Sequence, residues 1–250
     1  MSQTFPLSPF DVLTTYVAAN ATDVPFVTGQ IGITSDGRRF KGAVLAISKT
    51  TLAQNKLNQQ QAVTANMQAV TLSAQSIGDT TVTITCSAQT LTANQLAGAY
   101  LGIISGTGSV QTLKIKGNPA GTSATTYLLT LQDPFYIATS GSPVANIWVD
   151  PYLNPIISPT TATGTVIGTS LVNVASDTTY NTYFWVQTNG PCLILADAGA
   201  TAGASIMPSS NTAGAVMGFA ASTTAQMNLI GTFDQSSTSA TYSFATLNLW

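Results

Sequence analysis

The chain has 250 residues and sixteen formal charges, seven Lys or Arg against nine Asp, with no Glu and no His; at 6% charged it lies far below the roughly 25% of an ordinary soluble domain. Without His, a Ser-His-Asp triad and the common zinc ligand sets fall away. A pI near 4.6 with no basic run among aromatics argues against a nucleic-acid-binding face, and no apolar stretch nears the 18 or so residues of a membrane-spanning helix.

Forty Thr, with Ala, Ser, Asn and Gln, fill the positions that Lys and Glu normally take. Such a surface suits a protein covered by copies of itself or by partners, since a free monomer usually keeps net charge away from zero.

In chain order, residues 1–30 come first and hold Phe5, Leu7, Phe10, Val12, Leu13, Tyr16, Val17, Val24 and Phe26, too many apolar groups for a solvated tail. Pro6, Pro9 and Pro25 interrupt any regular strand that could bury them. The expectation is an extended arm that clasps an adjacent subunit or an underlying shell, with Phe5 and Phe10 among its contacts. The alternative is an irregular cover over its own domain. MSQTFPLSPF lacks the basic and apolar regions of a secretory signal, so folding in the cytoplasm is expected.

Ser35-Asp36-Gly37 then predicts a tight turn between QIGIT and RRFKGAVLAI, because Asp-Gly supplies the required positive φ. Arg38, Phe40 and Gly42 share one face of the return strand, and Arg39, Lys41 and Ala43 the other. These charges either keep a solvated hairpin end from pairing edge to edge or offer Arg38, Arg39 and Lys41 to carboxylates of a neighbouring subunit. Residues 55–70, NKLNQQQAVTANMQAV, are the one segment that could hold a helix. Leu57, Ala62, Val63, Met67 and Val70 fit helical spacing poorly, so a linker is an equal reading.

Beyond this the pattern is β. TVTITCS, YLGIISG, SVQTLKIKG, TTYLLTLQ, NIWVD, NTYFWVQT, CLILAD and YSFATLNLW alternate, and GTGS, KGNPAGTS, QDPF, TSGSP and TNGP separate them. The fold class is therefore all-β, with β-sandwich or β-barrel units and an extended N-terminal arm. Three parts are expected: an arm, hairpin and connector over 1–68, a unit of about six strands over 69–157, and a second β unit over 158–250 opening on the linker-like SPTTATGT.

All seven bases lie in residues 1–116 with four Asp, whereas residues 117–250 carry five Asp and no base. That split favours head-to-tail contact between copies, with chance as the competing account. Cys86 alternates in phase with Val82 and Ile84, and Cys192 sits in a similar strand, so both read as free buried thiols.

No catalytic, cofactor or metal site emerges, and the chain is not expected to be an enzyme. Ser–Lys or Asp–Asp chemistry stays formally open, yet Asp36, Asp133 and Asp150 precede Gly or Pro in turns, where carboxylates usually cap backbone. SGTGSV has neither a P-loop Lys nor a following helix and reads as a hairpin turn. Asn20-Ala21-Thr22 matches a glycosylation sequon, which matters only on secretion. Lys114 and Lys116 read as a solvated sheet face. Tyr183 and Trp185 share a strand face, for core packing or as a stacking platform for a glycan.

TSDGRRFKGAVLA, TANQLAGAYLGIISGTG with LKIKGNPAG, LTLQDPF, and FWVQTNGPCLILAD with MPSSNTAGAV occur in this order. Together they resemble structural proteins of tailed-bacteriophage virions: an Asp-Gly-Arg-x-Phe hairpin, a strand pair with Gly-x-Tyr-Leu, a Trp-Val-Gln-Thr strand and a Ser-x-x-Ala-Gly-Ala-Val loop. The likeness runs from about residue 20 to 250; it departs in having fewer charges and in Cys192, where a small Ala is usual. It implies a virion protein made and assembled in the host cytoplasm, without enzymatic role or cofactor. The first choice is a capsid decoration (cement) or minor head protein, forming a homo-oligomer such as a trimer and touching other capsid proteins, with no nucleic-acid or membrane partner. The alternatives are the major capsid shell protein, which generally needs a long spine helix, and a tail or fibre host-binding adhesin.

Overall fold

A computed structural model describes residues 5–17, 25–47, 49–61, 67–161, 163–197, 201–219, 229–236 and 241–249; the side chains of Phe5, Pro9 and Phe10 lie outside that description. Among the described residues 52% lie in strands and 1% in helix, as a Thr- and Val-rich, Glu-free composition favours.

Two compact units form, Val63–Asp150 on its own and Met1–Ala62 together with Pro151–Trp250. The expected three-part division is thus replaced by two, with the middle unit inserted into the other. The reason is long-range pairing: strands from both ends of the chain share one sheet.

That sheet unit begins with β1 (Phe5–Leu7), the four-residue helix α1 (Pro9–Val12), β2 (Tyr16–Val17), β3 (Ile31–Thr34), β4 (Arg39–Leu45) and β5 (Leu57–Gln59). The Asp-Gly turn joins β3 to β4 as expected, with Gly37 at φ 85° and Ile31 opposite Lys41. Over its described residues the N-terminal arm packs on this unit. β1 pairs in parallel with β3, and Leu7, Val12 and Phe26 pack with Phe40, Val44, Tyr183 and Trp185 in one core cluster. Leu7, Val12 and Phe26 thus find burial on their own unit, through a short parallel edge strand and one helical turn, as the alternative of a cover over its own domain has it, while Leu13 and Val17 stay exposed.

The inserted unit contains β6 (Val70–Leu72), β7 (Thr81–Leu91), β8 (Tyr100–Thr107), β9 (Gln111–Gly117), β10 (Gly121–Leu131) and β11 (Ser140–Trp148). They close into a barrel in the order β10-β7-β6-β11-β8-β9, which leaves no open edge. Alternation assigns the inside: Val82 and Ile84, Leu101 and Ile103, Leu113 and Ile115, Leu129 and Leu131, Ala145 and Ile147 form its core, with Leu96 and Phe135 buried against them. The segment 55–70 is neither helix nor linker at its ends, since Leu57 is buried in β5 and Val70 opens β6.

The chain re-enters the sheet unit as β12 (Ile156–Ile157), β13 (Val166–Ser170), β14 (Thr182–Leu195), β15 (Ser205–Pro208), β16 (Val216–Gly218), β17 (Gly231–Phe233) and β18 (Tyr242–Asn248). SPTTATGT is no linker: Gln60 N donates to Thr165 O at 2.8 Å, and β12 and β13 both pair with β5. NTYFWVQT and CLILAD, expected as two strands, are one. The first half of β14 pairs with β4 and the second with β18, the change of partner falling at Thr188–Gly190. Both faces of its first half are buried, Tyr183 and Trp185 in one cluster and Phe184 and Val186 in another, which is why YFWV reads as a continuous apolar run.

Candidate functional site

The basic hairpin is built by β3, β4 and their turn. The Asp36 carboxylate accepts from the Thr34 hydroxyl and from Arg38 Nε, the latter at 2.8 Å. These bonds, with the Thr34 hydroxyl contributing most, hold the Asp36 carboxyl below its ordinary range. The Arg38 guanidinium also lies over the Phe40 ring at 5.7 Å, so it is committed within its own hairpin. On the other face, Lys41 Nζ sits 5.1 Å from the Tyr152 ring centroid. Arg39 is exposed, and its carbonyl accepts from the Thr188 hydroxyl at 3.3 Å. The three basic residues therefore share a segment but not a face, and Arg39 is the exposed one of the three. Phe5 and Phe10 lie in β1 and α1, with side chains outside the described residues.

The charge asymmetry of the sequence does not survive folding. The sheet unit collects Arg38, Arg39, Lys41, Lys49 and Lys56 against six Asp, and the barrel Lys114 and Lys116 against three. Each unit carries a net charge of −1, so the split along the sequence is not a split between the two units.

Carboxylates hold local backbone. Asp11 accepts from Ser8 N, Asp79 from Ser76 N and Asp177 from Thr179 N and Tyr180 N, each at 2.6–2.8 Å. A carboxylate that joins two of the sequence's motifs is Asp197, at the end of CLILAD. It accepts from the Ser209 hydroxyl at 2.5 Å, Asn211 Nδ2 at 3.1 Å and the Thr212 hydroxyl at 3.4 Å. This buried carboxylate pins the SSNT loop, while Ser209 Oγ in turn accepts from the backbone N–H groups of Asn211 and Thr212 at 3.0 Å. With no imidazole in the chain, Ser209 has no base of the usual kind, and the cluster acts as a loop anchor.

Both cysteines are free thiols. Burial pushes Cys192 up to about 12, so it stays protonated and unreactive; Cys86 is partly exposed, its sulfur 3.3 Å from Gln89 Nε2. Among the described residues no group of three His, Cys, Asp or Glu side chains could hold a metal ion, and no helix is long and apolar enough to cross a membrane. An open cleft of about 340 Å³ runs beside Asn189, Leu229, Thr232, Thr246 and Asn248, without a titratable group on its walls.

Tyr183 and Trp185, the sequence's glycan-platform pair, are core residues, and the stacking reading of them is withdrawn. The exposed aromatic pair is instead Tyr100 and Trp148, on the outside of the barrel. Strand parity carried that signal: Leu101 and Ile103 point inward, so Tyr100 must point outward, and Ile147 places Trp148 likewise.

No protein-family model, curated protein or solved structure matches the chain.

Proposed function

We propose that this protein is a structural subunit of a tailed-phage virion, a capsid decoration or minor head protein without catalytic role, that works through repeated contacts with copies of itself and with other capsid proteins. The observation that carries the reading is the balance of its surface. The chain has sixteen charges in all, while large hydrophobic residues such as Val27, Ile77, Val110, Leu128 and Tyr136 are more than half exposed. Little like-charge repulsion opposes close approach of identical subunits, and scattered apolar side chains supply contact area once covered. The four-residue α1, the one α-helix among the described residues, weighs against the major-shell alternative, which generally needs a long spine helix.

Quantitative mass spectrometry of purified virions tests the reading. Hundreds of copies fit cement; a few to some dozens move the protein to portal, tail or fibre; absence from the particle overturns the proposal. Within it, Arg39 is the hairpin residue free to meet a neighbour's carboxylate. An Arg39→Ser variant should weaken particle occupancy, whereas Arg38→Ser should chiefly loosen the hairpin that Asp36 holds. Exposed pairs contribute about 0–1 kcal/mol each, and repetition over many subunits makes the loss measurable. Equal occupancy by Arg39→Ser would leave the hairpin only its solubilising role.

A further inference from the structure

The outer face of the barrel carries a feature that the virion reading does not use. Trp148 of β11 stands directly opposite Tyr100 of β8, and Tyr100 opposite Lys114 of β9. The two rings lie 5.8 Å apart, centroid to centroid, tilted by 48°, and remain 47% and 38% exposed. The next row across the same strands is Asn146, Gly102 and Thr112. Gly102 has no side chain, and a Cβ built there would meet only the Asn146 carbonyl oxygen, at 3.9 Å. The pair of rings thus borders a shallow floor of bare backbone, flanked by an amide and a hydroxyl, with an ammonium group at the end of the aromatic row.

Ala69 N donates to Asn146 Oδ1 at 2.8 Å, which fixes that amide and leaves its NH₂ as the outward donor. A cross-strand aromatic pair steadies a sheet on its own, but such a role does not account for an open floor edged by donors.

Three ligand chemistries stack on aromatic rings. A single-stranded nucleic acid needs a positive groove to neutralise its phosphates; this unit has two Lys against three Asp, and Asp133 accepts from Lys114 N at 3.3 Å beside the face. A protein hot spot wants its aromatic anchor ringed by contacts that exclude water; here the neighbours beside the rings are Asn, Thr, Lys and a glycine, with Ile104 the one large apolar side chain further along β8. A neutral pyranose fits both halves of the face, laying its C–H side on the rings and its hydroxyls toward the donors.

We propose that the outer face of β11, β8 and β9 binds a neutral hexopyranose chain, Trp148 and Tyr100 stacking on a sugar ring while Asn146, Thr112 and Lys114 donate to its hydroxyls. This holds independently of whether the protein belongs to a virion. The full-length protein is titrated with cellohexaose, maltohexaose and chitohexaose by calorimetry and tryptophan fluorescence. At least one sugar should bind and perturb Trp148 emission, and Trp148→Ala and Tyr100→Ala should each weaken it by about tenfold or more. Gly102→Val keeps both rings and fills the floor, so it should abolish binding with the melting curve retained. Binding that survives Trp148→Ala, or no heat with any of the three sugars, overturns the proposal. So does tighter binding of a thymidine oligonucleotide, or a Trp148-dependent change of oligomer mass without sugar binding.

Discussion

The barrel and the sheet unit differ in how completely their buried polar groups are bonded. In the barrel they are engaged. Gln111 Oε1 accepts from Tyr136 N and Ile137 N, and its Nε2 donates to the carbonyls of Gly108 and Ile137 at 2.7 and 2.9 Å. Asn118 likewise receives Leu96 N and donates to Thr92 and Pro119 carbonyls. In the sheet unit, both amide atoms of Asn58, the Ser170 hydroxyl and Gln187 Oε1 are buried with no partner among the described residues. A closed barrel has one inside and one outside, so a polar side chain trapped within it is a rare event that loops can serve. A strand such as β14, covered on both faces, has no outside for its polar residues, and some are left unserved. The lesson is that the barrel holds the more self-consistent interior although it is the smaller unit.

The comparison breaks most visibly at the N-terminus. Deleting residues 2–18 removes β1, α1 and β2 and takes Leu7 and Val12 from the sheet-unit core. Emptying even one such apolar site costs about 2–5 kcal/mol, so calorimetry should show a sheet-unit transition lowered by 4 kcal/mol or more at about that scale, with the barrel transition unmoved. An equal fall of both would show that the barrel does not melt on its own.

Smaller and opposite effects are expected from two polar substitutions. Gln111→Ala leaves two backbone N–H groups and two carbonyls of the barrel unserved and should destabilise it by about 1–3 kcal/mol. Asn58→Leu removes an amide that nothing satisfies, and should be neutral or stabilising by up to about 1 kcal/mol in chemical denaturation. If the two changes cost the same, the contrast between the interiors is lost.

The smallest effect is an acid one. Asp11 is held low by the Ser8 N–H first, Asp36 by the Thr34 hydroxyl first, and Asp177 by the Thr179 N–H first. All three belong to the sheet unit. Folded values below the ordinary 3.8 mean that these carboxylates add stability above about pH 4 and lose it as pH falls further. Because they lie at the surface, solvent screening keeps the loss slight, and a melting series from pH 5 to about pH 2 should show a shallow decline of the sheet-unit transition.

What could be read from the sequence follows the same division. The barrel strands announced themselves because inward Leu101, Leu113 and Leu129 alternate with outward Gly102, Lys114 and Thr130, a pattern each strand carries alone. The Asp36-Gly37 turn was equally local. The sheet unit resisted because its logic is long-range. Nothing near Leu7 tells that Trp185 will cover it, and nothing in TNGP tells that a turn-like sequence sits in mid-strand where β14 changes partners. The site residues divide similarly: the hairpin was found by composition, but that Arg38 is spent on Asp36 and Phe40 while Arg39 is free depends on side-chain geometry. Tyr100 and Trp148 are legible by parity from inward Leu101 and Ile147, whereas the burial of Trp185 depends on a strand covered on both sides.

The insertion of the barrel sets the timetable of synthesis. Leu45 at the end of β4 pairs with Thr182 at the start of β14, so β4 leaves the ribosome before the entire barrel is made and waits for its partner. At about 5–20 residues per second that interval is on the order of ten seconds. During it, the nascent β3–β4 hairpin presents an unpaired edge, the form of chain most prone to join another. Arg39 and Lys41 lie on that waiting edge and Arg38 in the turn beside it, so three of the protein's seven bases sit on the segment that must wait for β14.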